Sequence, residues 1–271
     1  MAASIREAQL VTVVSRDGTR IGLWRVGSGP SLLAVHGSGA DHRAWDSVAP
    51  LLADSFTVYA MDRRGRGASG DAIEYTVERE FEDVASAVDA LPGPVHLYGH
   101  SFGGSCAFEA ASRSGKLASL ALYEGGPKPP GLRFMPDESI AQLEQLIAAG
   151  QREEALSTFM LKAAGVAPAE LAILRGHPAW AARVAAAHTL PRELRAINDY
   201  AADATRVASL ITPTLLIMGS ETESRRREIF EGLARVLPNA RVAVLPGQRH
   251  AAHQTSPELL ASALRDFIRS L

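Results

Sequence analysis

At 271 residues and 28.8 kDa, the chain is long enough for one sizeable α/β core and too short for two full-sized enzymatic domains. Its 46% hydrophobic and 21% charged residues are globular values, which exclude general disorder. A net charge of −2 with a pI near 6.5 gives no broad electrostatic footprint for nucleic acid or an anionic membrane, so neither is expected as a partner.

The short basic runs Arg63-Arg64 and Arg225-Arg226-Arg227 read as solvated faces or loop anchors. Cys106, the single cysteine, has no intrachain partner for a disulfide and reads as a buried space-filler. Met1–Leu10 lacks the apolar stretch of a signal peptide, and no run is long and apolar enough to span a bilayer. The expectation is a soluble, cytoplasmic protein.

In chain order, Leu10–Val14 and Arg20–Trp24 read as two strands joined through Asp17-Gly18, a dipeptide suited to a tight hairpin. Leu32–Val35 is a continuous apolar run, as for a strand covered on both faces, and it stops at His36-Gly37-Ser38-Gly39. Trp45, Val48, Leu51 and Leu52 lie at helical spacing over residues 43–53. Thr57–Met61 is a further strand, followed by the glycine-rich return Asp62–Gly70, to which no chemistry is assigned. Val77, Phe81, Val84, Val88 and Leu91 then mark one helix, which ends at Pro92-Gly93-Pro94.

The next strand runs into Gly99-His100-Ser101-Phe102-Gly103, a G-x-S-x-G pattern. Such a pattern holds a nucleophile at the tip of a sharp strand-to-helix turn, where flanking glycines let neighbouring chain pass without a Cβ clash. The small residues from Gly104 to Ser114 read as the helix, its N-terminus aimed at the serine. Leu117–Tyr123 is a sixth strand, with Glu124 at its carboxyl end. From Pro129 to about Thr205 the patterns are helical only: Ile140, Leu143, Leu146 and Ile147; then Leu156, Phe159, Met160 and Ala163; then the alanine-rich stretch from Trp180 to His188. Strands resume at Thr214–Met218 and Arg241–Leu245, separated by a helix carrying Ile229, Leu233 and Val236. Pro246–His250 leads to a closing helix that opens at Ser256-Pro257.

The G-x-S-x-G turn, the H-G-x-G loop, the D-x-x-G-x-G-x-S return and this order of elements together resemble the α/β-hydrolase superfamily over nearly the full length. The resemblance implies a mostly parallel eight-stranded sheet flanked by helices. It implies core segments at residues 1–128 and 206–271, with a helical cap at residues 129–205. It further implies Ser101 as nucleophile, with the backbone amides of Ser38 and Phe102 as an oxyanion hole. A serine hydroxyl needs a base to take its proton. Of eight histidines, chain order points to His250 in the loop after the last strand, with His253 as the rival.

The acid departs from the commonest pattern. Most members place it three residues after the glycine that ends the seventh strand, and that slot, counted from Gly219, holds Thr222. Glu221 and Glu223 flank it. Glu124 stands where certain dehalogenases and lactonases of the superfamily carry their acid, and it is preferred over both.

The expected activity is a serine hydrolase acting on a small to medium carboxylic ester or lactone through a Ser-His-Glu triad and an acyl-enzyme. Phe134, Met135, Phe159, Met160 and Trp180 are candidate pocket walls. Aspartate-nucleophile chemistries are disfavoured by Ser101. Alternatives are thioester or carbon-carbon bond hydrolysis, and a non-hydrolytic small-ligand receptor or cyclase on the same fold. No cofactor or metal is expected, since neither a nucleotide motif nor H-E-x-x-H occurs. Oligomeric state is beyond the sequence.

Overall fold

The computed structural model describes residues 8–271, so most of the Met1–Leu10 stretch read above lies outside the described residues. Strands β1 (Gln9–Val14) and β2 (Arg20–Gly27) form the expected antiparallel hairpin, in which Gly18 takes the positive φ of 86° that the turn demands. The remaining strands are β3 (Ser31–Val35), β4 (Thr57–Met61), β5 (Val95–His100), β6 (Leu117–Tyr123), β7 (Thr214–Gly219) and β8 (Ala240–Leu245). They join one eight-stranded sheet in the order β1-β2-β4-β3-β5-β6-β7-β8. Only the β1–β2 and β2–β4 pairings are antiparallel.

Strands β3, β4, β5 and β7 are buried along their whole length, as continuous apolar runs require when both faces are covered. Alternation sends β5 side chains to two different apolar layers. Val95 and Leu97 pack with helices Val77–Ala90, Phe102–Ala111 and Ser224–Val236, whereas Tyr98 packs with Trp45, Leu52 and helix Pro257–Arg269. Cys106 is buried in the first layer, and that burial pushes its thiol pKa well up.

The single helix expected over residues 43–53 is instead a 3₁₀ turn, His42–Trp45, and a short helix, Ala49–Leu52. Pro50 is the reason: without an N–H it cannot continue a helix but is tolerated in a first turn. The apolar residues Trp45, Val48 and Leu52 are buried all the same.

Between β6 and β7 the chain forms helices Asp137–Ala148, Arg152–Lys162, Pro168–Arg175, Trp180–Ala186, Leu190–Asp199 and Ala204–Ser209. Most of them close over their own apolar cluster, which includes Met135, Ile140, Leu156, Phe159 and Leu190. The helices Pro168–Arg175 and Leu190–Asp199 were not among the expected ones. Each carries proline in its first turn, and the second also turns a charged residue, Glu193, inward.

Of the two readings of Arg63-Arg64, solvated face or loop anchor, the pair takes the second. Both arginines are fully buried. Arg63 pairs with Glu80 at 2.7 Å and Glu193 at 3.3 Å, Arg66 pairs with Glu193, and Arg64 pairs with Asp83 at 2.7 Å and Asp17 at 3.0 Å. The paired acids lie on elements other than the arginines' own loop, so nothing local in the sequence betrays the burial. Through Glu193 the network pins the helical insertion to the core. No helix among the described residues is long and apolar enough to cross a membrane.

Candidate active site

Ser101 follows the last residue of β5 with φ 54° and ψ −125°, a conformation costly for a non-glycine residue. Its amide donates to the Tyr123 carbonyl at 3.0 Å, tying the turn to the end of β6. Crossing backbones explain the neighbouring glycines: a Cβ on Gly103 would overlap the His36 carbonyl, and one on Gly125 would overlap the Ser101 carbonyl. Helix Phe102–Ala111 starts at once, so its dipole and free amides point back at the serine.

Glu124, just past β6, also has positive φ, 44°. Its carboxylate accepts from His250 Nδ1 at 2.9 Å, from the Gly219 amide at 3.1 Å and from the Thr222 hydroxyl. Burial alone would raise its pKa; the His250 hydrogen bond, the charges of His250 and Arg226, and the Thr222 hydrogen bond outweigh it and pull the carboxyl down to about 2. Glu221 instead lies exposed, 3.4 Å from Arg249. Glu223 is exposed as well, 3.7 Å from Arg226. Among the described residues neither reaches His250.

Two side chains brace the loop that carries His250. The His100 ring faces the His250 carbonyl through Nε2 at 2.9 Å, while the Tyr123 hydroxyl donates to the Arg249 carbonyl and accepts from the Ala252 amide at 3.0 Å. His253, the rival, is buried against Trp45 and His100 and makes no contact with an acid among the described residues.

Ser101 and His250 line one cavity, but no hydrogen bond joins them. Arg226, read from sequence only as part of a solvated or loop-anchoring basic run, lies at the site. Its Nη1 lies 2.5 Å from His250 Nδ1 and 3.3 Å from Nε2, and 3.4 Å from Glu124. A donor in the ring plane at Nδ1 could not come so near Nε2, so the guanidinium sits over the imidazole. Burial lowers the pKa of His250, Arg226 lowers it further, and Glu124 opposes both. Catalytic hydrogen bonds are often loose before substrate binds.

The Phe102 amide opens its helix and has no acceptor within it, and no acceptor faces the Ser38 amide among the described residues. Both residues line a cavity of about 340 Å³ together with Ser101. A smaller one of about 40 Å³ shares Ser38, Ser101, Phe159 and Ala164 with it. Of the expected wall residues, Phe134 and Phe159 line the larger cavity, and Phe159 and Met160 the smaller. Met135 and Trp180 line neither. Met135 is fully buried in the core of the insertion, and Trp180 packs at the edge of that core with Nε1 donating to Glu153 at 3.1 Å. Helical apolar residues serve packing and pocket alike, and periodicity does not separate the two uses.

Asp41, His42 and Asp62 bring ligand-type atoms within 4.8 Å of one another. Their oxygens are already engaged: Asp62 accepts from Trp24 Nε1, the His42 and Ala68 amides and His42 Nδ1, and Asp41 accepts from Arg43. That set holds the glycine-rich return in place.

Residues 32–263 match the profile of the Alpha/beta hydrolase family. An alpha/beta hydrolase of known structure from Sphaerobacter thermophilus superposes with a TM-score of 0.82 at 35% identity, covering 95% of this chain and 99% of that one. The 2-(acetamidomethylene)succinate hydrolase of Mesorhizobium japonicum is 25% identical over 256 residues, 89% of each chain. The pimeloyl-[acyl-carrier protein] methyl ester esterase of Methylococcus capsulatus is 33% identical over 155 residues, 55% of this chain and 59% of that one.

Proposed function

The chain belongs to the alpha/beta hydrolase family, and from that premise we propose that it is a serine hydrolase cleaving a carboxylic ester or lactone through Ser101, His250 and Glu124. One observation carries the reading. The strained turn at Ser101, the Glu124 carboxylate and the His250 ring come from three separate segments at the carboxyl ends of β5, β6 and β8; Glu124 accepts from Nδ1 at 2.9 Å, and Ser101 lines one cavity with Glu124 and another with His250.

In this mechanism Ser101 Oγ attacks the carbonyl carbon while its proton passes to His250 Nε2. The amides of Ser38 and Phe102 take up the negative charge on the former carbonyl oxygen. Collapse expels the alcohol, which leaves with the proton from His250. Water, deprotonated by the same ring, then hydrolyses the acyl-enzyme. Glu124 accepts from Nδ1–H, fixing the tautomer and balancing the imidazolium. The names of the relatives, a hydrolase and a methyl ester esterase, agree with hydrolysis and supply no substrate for this chain.

The test is a panel of esters, lactones and thioesters assayed beside Ser101→Ala, with fluorophosphonate labelling of the folded protein. Labelling confined to Ser101 and abolished by His250→Ala is the expected result. Folded protein that takes no label and cleaves nothing would instead favour a receptor with an idle triad, the reading that the Arg226 contact with the imidazole supports.

A further inference from the structure

Arg183 lies on helix Trp180–Ala186 and is only 7% exposed. Its guanidinium has no hydrogen-bond acceptor and no carboxylate in salt-bridge range among the described residues, and it lines the smaller cavity. Asp41, whose charge favours the Arg183 cation, is committed to the amide of Arg43 at 2.9 Å and its guanidinium at 3.1 Å. Burial pushes the Arg183 pKa down to about 10, which leaves it charged at neutral pH. Two more unmet groups face the same space. Among the described residues, Nδ1 of His253 and both amide atoms of Gln254 are buried without a partner, and both residues line this cavity beside Ser38, Ser101 and His250.

Buried polar groups are normally hydrogen-bonded, to protein or to ordered water, and a buried charge without a counterion is costly, so three such groups around one cavity leave polar capacity that a ligand can take up. A guanidinium only donates, which makes that ligand an acceptor and an anion. Burial and neighbouring charges keep the His253 ring neutral, so the wall presents one positive charge and suits a single negative one. At about 40 Å³ the space takes one small planar group.

We propose that this cavity is an anion subsite in which Arg183, with His253 and Gln254, binds a carboxylate carried by the substrate a few bonds from its scissile carbonyl. The two cavities meet at Ser101, so such a substrate would place its carboxylate in the smaller space and its other half in the larger. This inference rests on the reading of Ser101 as nucleophile and narrows it to half-esters of short dicarboxylic acids or their close analogues.

Monomethyl succinate and methyl butyrate, nearly equal in shape but differing in charge, provide the test. The wild type should prefer the former, and Arg183→Gln should lower the ratio of their kcat/KM values by roughly 100-fold. Gln254→Leu keeps the charge and should lower the ratio less, by roughly 10-fold. Free succinate should raise the Tm of the wild type and of Ser101→Ala but not that of Arg183→Gln. The last variant should itself melt above the wild type, because an unpaired buried charge has gone. An unchanged ratio, equal protection of wild type and Arg183→Gln by succinate, protection by phosphate as strong as by succinate, or failure of Arg183→Gln to fold would overturn the subsite. The hydrolase reading fails separately: Ser101 would take no fluorophosphonate and both esters would stay intact while the succinate shift persisted.

Discussion

Thr222 donates its hydroxyl to the carboxylate of Glu124, joining the loop after β7 to the end of β6. The slot that most members of the superfamily fill with an acid here supplies a donor, and the carboxylate enters from the neighbouring strand. Strands β6 and β7 are hydrogen-bonded neighbours, with Tyr123 opposite Ile217, so both routes lead to nearly the same place in space.

That exchange makes the acid testable. Glu124→Gln should lower kcat by up to about 10⁴-fold by favouring the wrong tautomer of His250. Glu221→Gln removes only an exposed contact with Arg249 and should stay within a few-fold of wild type by the same kinetic comparison. The reverse ranking would move the acid to the β7 loop.

Arg226 predicts a pH effect. Its charge disfavours the imidazolium, so Arg226→Met should raise the pKa of His250. A base must be neutral to act, and activity is therefore lost as pH falls through that pKa. The acid limb of kcat/KM against pH should move to higher pH in the variant. A limb that stays in place would show that the guanidinium exerts no field on the working ring.

The depressed pKa of Glu124 also bears on stability. A carboxyl lowered from 4.5 to about 2 by folding stabilises the native state fully above pH 4.5, and this contribution drains away as pH falls towards 2. It amounts to something on the order of 3 kcal/mol. Urea unfolding of wild type and Glu124→Gln between pH 2 and 6 should therefore show a steeper acid loss in the wild type.

Glu193 should matter more to folding than its place on an inserted helix suggests. It is fully buried between Arg63 and Arg66, and Glu193→Ala would leave two buried guanidinium groups short of a counterion. The expected loss is about 3–5 kcal/mol in urea unfolding, with the insertion loosened first. A loss under about 1 kcal/mol would mean that Glu80 alone satisfies Arg63.

The strands, the turn at Ser101 and the loop of His250 were legible in the chain because each depends on residues adjacent in sequence: an apolar run, glycines flanking a serine, a glycine three residues before a histidine. Even there spacing alone misleads, since Pro50 divides what it presents as one helix. What the sequence by itself determined is thus the order of elements and the candidate nucleophile and base. Tertiary structure alone decided which glutamate touches His250, that Arg63 and Arg64 are buried, that Arg226 stands over the imidazole and that Arg183 has no partner among the described residues. The physical reason is that a charged side chain takes its character from what surrounds it, and those surroundings come from segments as much as 130 residues apart, as with Arg63 and Glu193.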